Sequence, residues 1–359
     1  MPNRHRLRIL LGWLLIGASL WLVACAGQPQ GAGMPANASE GNADQPERDR
    51  PVVVTSIYPL YAFARAVGGD RIEAVLLLEP GMHAHDFEPT PRDLERILAA
   101  DLLLYNGAGF EPWIERVIST VQAQGGPRVV DVSAGIRLRD AAAATASTEV
   151  PPHGGGSSGA DGAPRPSPGH DEHLADDRHE HASGQADPHV WLDPQRAQKQ
   201  VEAILQALQE LDPEGAEGYA ARARALQDEL AEIDAALSAG LAQCRHRELV
   251  VPHAAFGYLA DRYDLRQIAI GGLAPEIDPS PQELARLAAH LRDLGVRVVF
   301  SEALLDDRVV KTLAAEIGAE VLPLHPLENL SAEEAARGES YRSLMLQNLE
   351  HLRQGLECR

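Results

Sequence analysis

Aromatic side chains are scarce in this chain of 359 residues, at 4%, and there are only three cysteines. An interior with so few rings has to be built from Leu, Val and Ala, and three thiols permit at most one internal disulfide. Cationic residues are also few, with 32 Lys+Arg against 52 Asp+Glu and a formal charge of −20. Such a balance repels a phosphate backbone and an anionic membrane surface, which excludes nucleic acid as a partner. Also absent is the Gly-x-x-x-x-Gly-Lys-Ser/Thr loop that cradles nucleotide phosphates, so ATP hydrolysis is not expected of this chain. Hydrophobic residues nonetheless reach 45%, which excludes global disorder. The length suits two domains of roughly 150 residues each.

The N-terminus is basic up to Arg8, and Ile9 to Val23 is apolar. That run is shorter than the roughly 20 residues a membrane span needs. It ends in Leu22-Val23-Ala24-Cys25, which resembles a bacterial lipobox. The expectation is a signal peptide over residues 1–24, lipid on Cys25, and a Gly/Ala/Pro/Asn-rich tether over 25–50; an uncleaved anchor is the alternative. In an exported protein the two remaining cysteines, Cys244 and Cys358, are expected to form a disulfide that pins the C-terminus near residue 250. Two unpaired thiols are the alternative.

From Pro51 short β-branched and aliphatic runs alternate with helical patterns. Strands are predicted at Val52 to Thr55, Glu73 to Leu78, Asp101 to Tyr105 and Arg128 to Val132, with a helix opening at Thr90-Pro91. Between residues 141 and 184 the periodicity collapses into Gly, Pro, Ser and Asp. Five histidines lie in that insert: His153, His170, His173, His179 and His181. It reads as an acidic, disordered loop. Helical spacing returns from Gln195, and residues 212–243 read as one long helix. A second α/β half, 244–359, carries strands near 248, 267, 296 and 320 and ends in a helix. The fold expected is therefore α/β, with mostly parallel sheets in two lobes, 51–211 and 244–359, joined by one long rigid helix.

Four histidines stand apart from the insert. His85 follows the second strand, His189 sits in Asp187-Pro188-His189-Val190-Trp191, His253 follows Val250-Val251-Pro252, and His325 follows Leu322-Pro323-Leu324. Three of them fall at or just beyond strand C-termini, where open α/β sheets place ligands, and each half supplies two. Imidazole suits Zn²⁺, and four nitrogens would close a tetrahedral shell without an open position, which favours carrying a metal over using one. Taken alone, His325 would read as a capping or solvated residue.

Gly81-Met82-His83-Ala84-His85-Asp86-Phe87-Glu88-Pro89, Asp187-Pro188-His189-Val190-Trp191-Leu192-Asp193-Pro194 and Pro252-His253-Ala254-Ala255-Phe256-Gly257-Tyr258 resemble, in order, the ligand segments of the zinc/manganese substrate-binding proteins of ABC transporters. The likeness extends through Phe300-Ser301-Glu302 and Ser340-Tyr341 nearly to Cys358. It implies a two-lobed protein with one metal held in the cleft between lobes by His85, His189 and His253, with His83 a bystander. Histidine at position 253 and the histidine-rich insert lean toward the zinc-type branch. At Leu324-His325-Pro326-Leu327 the family pattern would read Asp, so His325 is the fourth ligand only if an imidazole replaces that carboxylate.

The resemblance implies an extracytoplasmic, lipid-anchored monomer that binds Zn²⁺ and passes it to the permease of an ABC importer with its own ATPase subunit. A manganese or iron carrier of the same family is the alternative, and an adhesin role on this scaffold is compatible with the sequence. A zinc metallohydrolase would need a general base, for which Glu302 is the candidate.

Overall fold

The computed structural model describes residues 50–140, 186–273 and 279–359. The expected signal, Cys25, the tether up to residue 49 and the insert 141–184 lie outside the described residues.

In the first half, β1 (Val52–Thr55) is followed by α1 (Tyr58–Gly68), β2 (Glu73–Leu76), α2 (Pro91–Leu98), β3 (Leu102–Tyr105), α3 (Ile114–Gln124) and β4 (Arg128–Asp131). The strands form one parallel sheet in the order β2-β1-β3-β4. Val53, Leu102, Leu103 and Leu104 have no exposed surface, as expected where helices cover both faces of a parallel sheet. The α2 start has the chemistry its sequence announces: Thr90 Oγ1 accepts the Asp93 N–H at 3.2 Å, and Asp93 accepts the Thr90 N–H at 3.0 Å. A two-residue antiparallel pair, β5 (Arg139–Asp140) with β6 (Ala186–Asp187), has no signature in the sequence.

After α4 (Pro194–Leu211) a single 3₁₀ turn, Pro213–Gly215, leads into α5 (Ala216–Leu241). Its 26 residues span about 39 Å at 1.5 Å per residue. Tyr219, Ala223, Leu230, Ile233, Leu237 and Leu241 form one buried stripe along it. From the first half α1 and α4 pack on α5; from the second, so does α10 (Tyr341–Gly355). The helix is thus part of the core of both lobes.

The second half runs β7 (Glu248–Val251), α6 (Gly257–Arg262), β8 (Arg266–Ala269), α7 (Pro281–Asp293), β9 (Val298–Ser301), α8 (Arg308–Ile317), β10 (Glu320–Pro323), α9 (Ala332–Arg337) and α10. β7 pairs with β8 and β9 with β10, both in parallel, and β7 lies beside β9. Alternation along these strands divides the interior. Leu249, Val251, Val298 and Phe300 join the main core, which is continuous with the first lobe and α5. Val250 and Val299 face the other way, into a second cluster with Ile268, Leu287, Leu291 and Leu313. A Cys244–Cys358 disulfide ties the exit of α5 to the end of α10.

Candidate metal centre

The loop ends of three strands converge between the lobes, and with them the entry to α4. His85 lies on the loop after β2, which Asn329 holds by donating from Nδ2 to the carbonyls of Glu79 at 2.7 Å and Met82 at 3.0 Å. His189 precedes the 3₁₀ turn Val190–Leu192, His253 follows β7, and Glu328 lies on the segment after β10. His189 and His253 are fully buried, Glu328 is 3% exposed, and His85 is only slightly exposed.

One donor atom from each of His85, His189, His253 and Glu328 lies within 4.8 Å of all the others. Glu328 Oε1 is 3.2 Å from His85 Nε2, 3.3 Å from His253 Nε2 and 3.5 Å from His189 Nε2, while the Nε2 atoms of His85 and His189 are 3.4 Å apart. A tetrahedron whose corners sit about 2.0–2.1 Å from its centre has edges of roughly 3.3–3.4 Å, so these spacings fit a zinc shell. His253 Nε2 is buried and makes no hydrogen bond, a cost that a cation at the centre would remove.

Carboxylates behind the rings set their orientation. Asp187 Oδ1 accepts from His189 Nδ1 at 2.9 Å and from the His189 N–H at 3.1 Å. Glu302 Oε1 accepts from His253 Nδ1 at 2.8 Å. Each contact leaves Nε2 as the inward-facing nitrogen. Phe110 covers the rings, 4.7 Å from His85 and 5.4 Å from Trp191 between centroids. It is presented by the turn at Asn106-Gly107, where φ is +79° and a Cβ would fall 2.2 Å from Asp131 Oδ1, so only glycine fits. Glu111 anchors that turn by accepting the N–H groups of Asn106 at 2.7 Å and Gly107 at 3.0 Å. Burial pushes the Glu111 carboxyl up to about 7, against the opposing pull of its Ser56, Asn106 and Gly107 hydrogen bonds.

The charges are strongly coupled. Burial by itself would raise the Glu328 carboxyl, but His85, His189 and His253 overcome it and hold the group well below the usual carboxylate range. Burial likewise opposes a charged His253, yet Glu302 and Glu328 raise that ring to about 10. His189 is raised as well, because Asp187 and Glu328 outweigh its burial. These carboxylates thus favour a proton on His189 and His253, one that a cation entering the site would have to displace.

His85, His189 and His253 come together as expected; His325 does not join them. Its ring Nδ1 accepts the Leu327 N–H at 2.8 Å and Nε2 faces Glu334 Oε2 at 3.3 Å, so both nitrogens are occupied. Asn348 fixes its backbone, accepting the His325 N–H at 2.8 Å and donating to its carbonyl at 2.7 Å. The chain then turns through Leu327, at φ +60°, and brings Glu328 inward. The fourth corner is thus a carboxylate three residues beyond the histidine expected there. The signal that could have located it was present: Glu328 is the lone acid in the apolar run Val321 to Leu330. His83 lies outside the group; its ring centroid is 5.7 Å from that of His85.

A family model described as "Zinc-uptake complex component A periplasmic" matches residues 53–355. The chain belongs to this family. It is 33% identical over 346 residues to the high-affinity zinc uptake system protein ZnuA of Bacillus subtilis (strain 168), covering 96% of this chain and 97% of that one. It is 31% identical over 336 residues to the zinc-binding lipoprotein AdcA of Streptococcus pneumoniae R6, and there it spans only 58% of the relative's length. The crystal structure of the Zn(II)-bound ZnuA-like domain of Streptococcus pneumoniae AdcA superposes with a TM-score of 0.67 at 29% identity, covering 86% of this chain and 99% of that one. Among the described residues no helix is long and apolar enough to cross a membrane.

Proposed function

We propose that this zinc-uptake family member captures Zn²⁺ outside the cytoplasmic membrane with His85, His189, His253 and Glu328, and hands it to the permease of an ABC importer powered by a separate ATPase subunit. The observation that carries this reading is the convergence of three imidazole nitrogens and one carboxylate oxygen within 4.8 Å of one another, with separations of 3.2 to 3.5 Å from the carboxylate to each ring and 3.4 Å between His85 and His189. Zinc is cargo here. A four-ligand shell offers no vacant position for activating water, which supports a carrier over a catalyst. Glu302, the base a hydrolase would need, is engaged with His253 Nδ1 on the side away from the donor atoms. The lipobox at Cys25 supports a lipid anchor, and the carrier is proposed to act as a monomer.

A manganese carrier is the second reading, favoured by the one hard oxygen ligand that Glu328 supplies. Three imidazoles against one carboxylate weigh toward zinc. Metal analysis of protein purified without added metal, followed by competition between zinc and manganese, tests both. One tightly held zinc per chain, displaced only by a large manganese excess, is the expected result. His85→Ala, His189→Ala, His253→Ala and Glu328→Gln should each weaken zinc binding by at least about 100-fold, more than changes behind the ligands typically cause. Parent-like affinity in any of them would remove that residue from the shell.

A further inference from the structure

Behind the donor atoms, Arg139 makes a set of contacts that none of the metal ligands explains. It lies in β5, in register with Asp187 of β6. Its Nη1 donates to Asp187 Oδ2 at 3.1 Å, on the carboxylate whose other oxygen holds His189. Its Nε and Nη2 donate to Asp261 at 2.6 and 3.3 Å. Its backbone N–H donates to Tyr258 Oη at 2.8 Å, and the Tyr258 hydroxyl donates in turn to the Asp187 carbonyl at 2.6 Å. Tyr258 and Asp261 belong to α6, in the segment that follows His253. One guanidinium thus touches the arms that carry two of the four metal donors.

The space for it is built into the backbone. A Cβ on Gly257 would fall 1.7 Å from Arg139 Nη1 and 2.8 Å from Asp187 Oδ2. Glycine there lets the planar fork lie flat against the α6 backbone and reach both carboxylates. Asp187 has no exposed surface, so its charge needs a compensating cation and filled hydrogen-bonding positions to remain in place. Arg139 supplies a permanent cation to Asp187 and, unlike the His189 ring on the same carboxylate, also spans to Asp261 of the second lobe.

We infer that Arg139 is a positioning residue of the metal centre: through Asp187 it fixes the His189 ring, and through Asp261 it locks the His189 arm to the His253 arm, so that its loss speeds zinc release. This rests on the zinc-binding reading above. A guanidinium at this position slows the opening of the shell without itself touching the metal.

Zinc release into excess chelator, followed by stopped flow on the full chain, tests the inference for the parent, Arg139→Met, Asp187→Asn and the double variant. Arg139→Met should release zinc about 10–100-fold faster at unchanged stoichiometry. The double variant should be no more than about twofold faster than the faster single one, because both act through the same carboxylate. Gly257→Ala, which displaces the fork but leaves its charge, should also speed release, and Arg139→Lys should recover part of the slow rate. If Arg139→Met does not fold, Gly257→Ala and Arg139→Lys give the same reading. A lowered melting temperature with parent-like release would make Arg139 merely structural and overturn the inference, as would additive effects in the double variant. A parent that takes up no zinc would instead refute the zinc reading itself.

Discussion

His325 and Glu328 are three residues apart and do different work. The imidazole of His325 holds the turn at Leu327 that delivers the Glu328 carboxylate to the cleft. X-ray absorption on the zinc-loaded parent should count three nitrogens and one oxygen, and His325→Ala should count the same, with affinity reduced about tenfold through the loosened turn. A loss of one nitrogen in that variant would return His325 to the shell. Its hydrogen bond also holds the Glu334 carboxyl down at about 2. A depressed carboxylate contributes stability above its unfolded value near 4.3 and loses it as pH falls toward 2. In His325→Ala the Glu334 carboxyl should titrate nearer 4.3 by NMR.

Metal affinity should also follow the ring protons. Because His253 is raised to about 10, zinc displaces a proton across the whole neutral range. Affinity should fall roughly tenfold for each pH unit lowered between 8 and 6 for every proton displaced. A flat profile in that interval would mean that the empty site holds no ring proton.

At this scale the sequence was readable where chemistry and local pattern coincide. Asp187-Pro188-His189 and Pro252-His253 sit beside strand or turn signals, and the structure groups both with His85. Glu328 was less legible, because what brings it inward is the left-handed Leu327 in a turn held by the His325 ring, whose own backbone Asn348 fixes only after folding.

Among the elements, strands and long helices were legible because hydrophobic period and capping agree. β1 and β7 run from Val52 to Thr55 and Glu248 to Val251, as read from their aliphatic runs. The β5–β6 pair went unseen: two residues on each side carry no period, and their pairing spans the insert. α5 is the element on which both lobes depend. Leu230→Ala and Leu237→Ala each empty a fully buried position on its stripe and should cost about 2–5 kcal/mol in denaturant unfolding. A loss below about 1 kcal/mol would show that the stripe collapses to fill the gap.

For the molecule as a whole, the disulfide closes a loop with a sequence separation of 114. Chain-entropy reasoning assigns such a closure roughly 4–5 kcal/mol, so Cys244→Ser with Cys358→Ser should unfold at distinctly lower denaturant. An unchanged midpoint would place the stabilisation elsewhere. The variant should keep its zinc affinity, since the bridge lies at the exits of α5 and α10 and not among the donors.

The donors also carry a consequence for how the protein is made. His85 and Glu328 are 243 positions apart, with His189 and His253 between them. During export the first three rings emerge well before the carboxylate that completes the set. Until Glu328 is in place the set lacks its carboxylate corner, so the complete four-donor group exists only once segments from both halves of the chain have folded together.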